Sequence, residues 1–104
     1  MRLSPKEQKA ITAAFAKCLS PIRYQLYLFG SRADDAKKGG DIDLLVVVSS
    51  EAKSAVVELK TKIRGEIFTK LPEQKIDITV ANEEELSTDV FLASVFPKAI
   101  FLGR

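Results

Sequence analysis

The sequence predicts a single domain of the α+β class, α/β-like in that helical and strand patterns alternate along the chain. In two long segments, apolar residues recur at every third or fourth position, and three short runs are rich in β-branched or aromatic residues. A chain of 104 residues is long enough for one hydrophobic core. One domain is therefore expected over residues 1–104, and 46% apolar with 29% charged residues is typical of a soluble globular protein.

The first helix is predicted to begin at Ser4-Pro5-Lys6-Glu7. Serine suits the N-cap, proline suits the first helical position, and Glu7 is placed to complete a capping box. Ser20-Pro21 is expected to end this helix. Its apolar stripe consists of Ile11, Ala14, Phe15, Cys18 and Leu19. Cys18 is interpreted as a core residue, because no neighbouring group would lower the pKa of its thiol.

Two strands flank the most polar stretch of the chain. Tyr24–Phe29 is the first, and it ends at Gly30-Ser31. A polar loop follows from Arg32 to Gly40, with a short helical turn predicted over Ser31–Ala36. Asp41–Val48 is the second strand, and because its later half is uniformly apolar we expect it to be central and covered on both faces.

The segment Ala52–Leu71 is predicted to form the longest helix, which Pro72 prevents from continuing. Lys75–Ala81 alternates between apolar and polar residues and is therefore predicted as a third strand. Its isoleucines and Val80 would share one face, whereas Asp77 and Thr79 would share the other.

The last part of the chain is predicted to contain shorter elements. Asn82 and Glu85 form a second capping-box pair, which opens an acidic turn. Thr88–Phe96 is predicted to be a short helix. Its inward-facing residues would be Phe91, Leu92 and Val95. Ala99–Leu102 is either an added strand or a core plug, and it could extend the sheet across a dimer or complete the monomer.

Composition excludes several classes of function. A formal charge of +2 does not indicate direct nucleic-acid binding, and no apolar run is long enough to span a membrane. The absence of histidine excludes a Ser-His triad. A single cysteine excludes an internal disulfide and makes a thiolate zinc site implausible. Any metal would therefore be held by carboxylate oxygens, which favours Mg²⁺ or Mn²⁺. The N-terminus lacks a signal-peptide pattern, so we expect a cytoplasmic protein.

Three acidic residues are the candidate catalytic and metal-binding groups. Asp41 and Asp43 stand at positions i and i+2 of a predicted strand, so both project from one face. Two adjacent carboxylates repel each other unless a cation lies between them. If the strand that carries Asp77 pairs with this one, three carboxylates would converge and could hold two Mg²⁺ ions about 4 Å apart, as in nucleotidyl transfer.

Gly30-Ser31 is the candidate phosphate-binding turn. A turn between a strand and a short helix exposes backbone N–H groups that a phosphate can approach, and glycine permits that approach. The serine hydroxyl can donate a further hydrogen bond. Arg32 is a candidate nucleotide contact, and Lys37 and Lys38 are weaker candidates that could instead be solvated loop charges.

Together these motifs resemble the minimal nucleotidyltransferases (MNT-type) of the DNA polymerase beta superfamily. The resemblance extends from about Tyr24 to Leu102. It depends on the segments LFGSRA (28–33), GDIDLLV (40–46) and KIDIT (75–79). It implies a small mixed β-sheet with helices packed mainly on one face, a triphosphate bound at Gly30 and Ser31, and metal ligands at Asp41, Asp43 and Asp77. Nine residues separate Ser31 from Asp41, slightly fewer than is common in the family, and Asp34-Asp35 makes this loop unusually acidic.

The resemblance also implies an activity and a partner. MNT-type proteins are often paired with a small all-helical HEPN-type toxin, and as antitoxins they can transfer AMP from ATP to a tyrosine hydroxyl of the toxin. We expect this Mg²⁺-dependent activity here, with the acceptor surface supplied by the partner chain. Two alternatives stay open. One is a non-catalytic module that neutralises a partner by docking, which the short acidic loop favours, and the other is an enzyme that adenylylates a small molecule.

Overall fold

A four-stranded mixed sheet forms the centre of the molecule. The computed structural model describes residues 2–33 and 40–103. The strands are β1 (Gln25–Phe29), β2 (Ile42–Val47), β3 (Ile76–Ala81) and β4 (Ile100–Gly103), in the spatial order β3-β2-β1-β4. β1 is antiparallel to β2 and to β4, whereas β2 is parallel to β3. The C-terminal run is therefore an added strand, and β2 is central and largely buried on both faces, as its apolar sequence predicted.

The helical elements connect these strands. They are α1 (Pro5–Leu19), α2 (Ser50–Glu58), α3 (Lys60–Lys70), α4 (Glu85–Thr88) and α5 (Val90–Val95), with 3₁₀ turns at Gly30–Ala33 and Phe96–Lys98. In the part of the chain that the structure describes, none of these helices combines the length and the apolar character that a membrane crossing requires. The fold is thus α+β with a mixed sheet, as predicted.

The start of α1 confirms the predicted capping box. The Glu7 amide donates to Ser4 Oγ at 3.1 Å, and the Ser4 amide donates back to Glu7 Oε1 at 2.9 Å. All five residues of the predicted apolar stripe are buried, including Cys18. Burial raises the pKa of the Cys18 thiol, which is consistent with a core residue.

The two faces of the sheet are covered unequally. The main core contains side chains of α1, α2 and α3 packed against one face, which includes Leu28, Leu44 and Ile78. A smaller cluster covers the other face and includes Phe29, Leu45 and the buried Leu92 of α5. Because side chains alternate along a strand, Asp43 and Asp77 lie on the face that carries the smaller cluster.

One long helix over Ala52–Leu71 was expected, and this prediction is wrong. The segment forms two helices that meet at Leu59, whose φ of −84° and ψ of −5° interrupt the regular α-helix. α1, with 15 residues, is longer than either of them. Tertiary packing accounts for the break, since α2 packs against β3 while α3 packs against α1.

The predicted inward orientation of Phe91 is also wrong. Leu92 is buried and Val95 is half-buried, but 55% of the Phe91 side chain is exposed. The helix begins at Val90, with the Asp89 side chain accepting a hydrogen bond from the Leu92 amide at 3.0 Å. A helix of only six residues places one narrow stripe against the sheet, and Leu92 occupies that stripe.

Candidate active site

The turn after β1 brings Gly30 against Asp43. Gly30 has a φ of +76°, a conformation that residues with a side chain rarely adopt. A Cβ at this position would lie 2.5 Å from Asp43 Oδ2. Glycine is thus required twice, by the backbone conformation and by the approach of the carboxylate.

Strand pairing places Asp43 between Gly30 and Asp77. On one side, Asp43 is opposite Phe29, the residue that precedes Gly30, and on the other side it is opposite Asp77. Asp43 is half-buried and Asp77 is exposed at the edge strand. The predicted pairing of the two acid-bearing strands is therefore present, and it juxtaposes two of the three candidate acids.

Asp41 lies just outside the sheet. It precedes the first residue of β2, and its Oδ2 is 3.8 Å from Lys75 Nζ. The backbone positions the two residues as neighbours, because the Ile42 amide donates to the Lys75 carbonyl at 3.0 Å. The sequence analysis did not identify Lys75 as a site residue. Its only signal was its place two residues before Asp77, which becomes meaningful once the register of β2 and β3 is known.

The electrostatics of the site are unfavourable for a bare carboxylate at Asp43. Burial raises the pKa of Asp43, and the negative charges of Asp77 and Asp41 raise it further, whereas Lys75 opposes them. A positive charge placed among these acids would relieve that cost. The arrangement is therefore suited to attract a cation.

The described residues nevertheless contain no group of three His, Cys, Asp or Glu side chains already arranged to hold a metal ion. The residues are still suitable ligands for a hard divalent cation, because all three candidates offer carboxylate oxygens. Asp43 and Asp77 are also close enough to interact electrostatically. Asp43 and Asp77 would hold the ion from paired strands. Asp41 would join them by exchanging its contact with Lys75 for the metal.

Arg32 has an internal set of partners. Its Nη1 donates to the Arg2 carbonyl at 2.7 Å and lies 3.5 Å from Glu7 Oε1. Its Nη2 donates to the Gly40 carbonyl at 3.2 Å and to Gln74 Oε1 at 3.0 Å. The side chain is buried, so contact between Arg32 and a nucleotide stays a prediction, while its structural role is explicit.

Of the remaining candidate residues in the turn and the loop, the structure describes only some. Ser31 is half-buried, and its carbonyl accepts a hydrogen bond from Arg2 Nη2 at 3.3 Å. Ser31 also lies within the 3₁₀ turn over Gly30–Ala33, where a short helical turn was predicted. Lys37, Lys38 and the acidic pair Asp34-Asp35 lie outside the described residues.

A cleft of about 980 Å³ lies at the opposite end of β2 from the acids. It is lined by residues that include Arg23, Val48, Ser50 and Asn82. Neither the Gly-Ser turn nor any of the three aspartates contributes to it. The candidate site is therefore assigned by its chemistry, and it lies at the end of β2 near Gly30.

A mixed sheet with two paired acids beside a glycine turn is the arrangement expected of a nucleotidyltransferase-type domain. Residues 17–100 match the family model described as "Polymerase beta, Nucleotidyltransferase". The chain thus belongs to this family, which confirms the resemblance inferred from its motifs.

Two further comparisons concern a solved structure and the curated proteins. A candidate nucleotidyltransferase from Sulfolobus solfataricus, known from a crystal structure, is 18% identical in sequence and has a TM-score of 0.48. The similarity covers 92% of this chain and 75% of that chain. No curated protein matches the chain in sequence.

Proposed function

We propose that the protein is a Mg²⁺-dependent nucleotidyltransferase that transfers AMP from ATP to a tyrosine hydroxyl of a HEPN-type toxin. Membership of the family supports the reaction class. The observation that carries the proposal is the contact of Gly30 with Asp43, which in turn is paired with Asp77. The turn that is the candidate phosphate-binding site thus lies beside two carboxylates, which supports the proposal. The choice of ATP and of the toxin comes from the motif resemblance alone.

Each residue has a role in this reaction. The Gly30-Ser31 turn would bind the phosphates of ATP through backbone N–H groups and the serine hydroxyl. A divalent cation held by Asp41, Asp43 and Asp77 would neutralise charge on the α-phosphate and on the leaving pyrophosphate. Asp77 is exposed and would orient the acceptor hydroxyl and accept its proton. The hydroxyl oxygen forms a bond to the α-phosphorus while the bond between the α-phosphorus and the bridging oxygen breaks, which releases pyrophosphate.

The test is label transfer from α-labelled ATP to a HEPN-type partner protein in the presence of Mg²⁺. The double substitution Asp41→Asn with Asp43→Asn is expected to abolish the AMP mass shift on the partner. The variant should still fold, because the carboxylate of Asp43 is held at an electrostatic cost that a neutral amide does not incur.

A matched control removes two other exposed carboxylates, with Glu83→Gln and Glu84→Gln. These residues line the cleft at the far end of β2, so transfer should persist. Undiminished transfer by the double aspartate variant would contradict the assignment of the acids.

Two observations favour the second candidate, a non-catalytic docking module. Within residues 2–33 and 40–103, no three acids are already arranged around a metal position, and Lys75 lies beside Asp41. In that case the wild-type protein would form a stable complex with the partner, yet no label would be transferred. Adenylylation of a small molecule has no specific support in the structure.

A further inference from the structure

Phe91 is an exposed aromatic ring next to the candidate site. Its centroid is 6.0 Å from that of Phe29, and the two rings meet edge to face at 73°. Phe29 in turn precedes Gly30 and is paired with Asp43 across β1 and β2. The ring of Phe29 therefore lies between Phe91 and the Gly30-Ser31 turn that would bind the phosphates.

The position of this ring is well defined. α5 is anchored by the buried Leu92 and capped by Asp89, and it packs on the same sheet face that carries Asp43 and Asp77. Despite this anchoring, 55% of the Phe91 side chain and 88% of the Val90 side chain are exposed. The start of α5 thus presents an apolar surface at the border of an acidic, polar site.

We propose that Phe91 is the stacking platform for the base of the donor nucleotide. This inference rests on the proposed function, since it assumes that the phosphates bind at Gly30-Ser31. Only a ribose separates the α-phosphate from the base, so a bound nucleotide must place its base close to the acids. An aromatic face stacks on any base, which makes the platform tolerant of base identity.

Geometry favours a base over the acceptor as the occupant of this ring. Asp77, the acid assigned to the acceptor hydroxyl, lies on β3, whereas Phe91 contacts Phe29 on β1. β1 and β3 are on opposite sides of β2. The acceptor hydroxyl would therefore reach the α-phosphate from the β3 side, opposite the pyrophosphate that leaves at Gly30-Ser31 after β1, as an in-line displacement requires. The base would then be free to lie on the ring of Phe91.

The experiment compares ATP with inorganic tripolyphosphate by calorimetric titration in Mg²⁺, in the absence of any partner. Phe91→Ala is expected to weaken ATP binding roughly tenfold, since base stacking contributes on that order. Binding of tripolyphosphate should not change, because it has no base, and this result also shows that the variant is folded. Phe91→Tyr should bind ATP like the wild type because it keeps the ring.

Phe68→Ala is the matched control, since Phe68 is an equally exposed phenylalanine on α3, which packs on the other side of the sheet. It should leave the affinity for both ligands unchanged. Unaltered ATP affinity in Phe91→Ala, or an equal loss of affinity for ATP and tripolyphosphate, would contradict the stacking role of Phe91. The proposed function would not be affected by either result. Failure of the wild type to bind either ligand would overturn the proposed function and the platform with it.

Discussion

Gly30 is the residue on which the site geometry depends most directly. Its positive φ lets the chain turn sharply at the end of β1, and its lack of a side chain leaves room for Asp43 Oδ2. A dipeptide Gly-Ser carries little information alone. In this sequence the dipeptide indicates a functional turn because an Asp-x-Asp pattern follows it. The structure links the two motifs physically, because the carboxylate of Asp43 occupies the space that a Cβ on Gly30 would take.

Gly30→Ala is expected to destabilise the fold by about 1–3 kcal/mol, the usual cost of a strained backbone position. It should also displace Asp43 and lower the rate of nucleotide transfer. Urea unfolding and a transfer assay measure the two effects. The control is Gly65→Ala in α3, where a Cβ meets nothing within 4 Å. That change should increase stability by up to about 1 kcal/mol, so an equal loss in both variants would contradict the assignment.

At the scale of elements, α4 is held to α2 by one ion pair. Lys53 Nζ lies 2.7 and 2.8 Å from the two carboxylate oxygens of Glu85. Glu85 Oε1 also accepts the Asn82 amide at 3.0 Å, and the Glu85 amide donates to Asn82 Oδ1 at 2.9 Å, which matches the predicted capping pair. The hydrogen bond from Lys53, followed by that from Asn82, lowers the pKa of Glu85 below its ordinary value of 4.5.

Glu85→Gln is expected to reduce stability by about 1 kcal/mol or less at neutral pH, because it removes the ion pair. A lowered pKa in the folded state means that this contribution is complete above pH 4.5 and is lost as the pH falls through the lowered pKa. Thermal unfolding between pH 7 and pH 3 should therefore show the difference from wild type shrinking in acid. Glu84→Gln, at an exposed neighbouring position, is the control and should show no such trend.

At the scale of the whole molecule, the buried guanidinium of Arg32 connects four distant segments. It bonds to the segment before α1 at Arg2, to α1 at Glu7, to Gly40 just before Asp41 and to the approach to β3 at Gln74. In the sequence, Arg32 and Gly40 flank the segment that joins the candidate phosphate-binding turn to Asp41. The side chain thus positions both halves of the candidate site relative to each other.

Arg32→Lys is expected to cost about 2–3 kcal/mol, because an ammonium cannot satisfy the carbonyls that the planar guanidinium bonds. Arg64→Lys, at an exposed position of α3, is the control and should be neutral. Denaturant unfolding and ATP titration would be measured on both variants. A loss of ATP affinity with unchanged stability would instead establish Arg32 as a nucleotide contact.

Short-range sequence patterns were sufficient to predict most of the local elements and the type of chemistry expected at the candidate site. Sequence patterns predicted these features because each depends on near neighbours in the chain. They are the capping boxes, the apolar stripe of α1, the uniformly apolar β2 and the alternation of β3. The absence of histidine and the three aspartates restricted the site to carboxylate chemistry in the same way.

Features that depend on contacts between distant segments became known from the folded structure alone. The packing of the elements cannot be predicted from hydrophobic periodicity or from secondary-structure propensity. It accounts for the break at Leu59, the exposure of Phe91, the internal partners of Arg32 and the position of Lys75. The register of β2 and β3 is the clearest case. A shift by one residue would turn Asp77 to the opposite face, and the main-core packing of Ile76 and Ile78 prevents it.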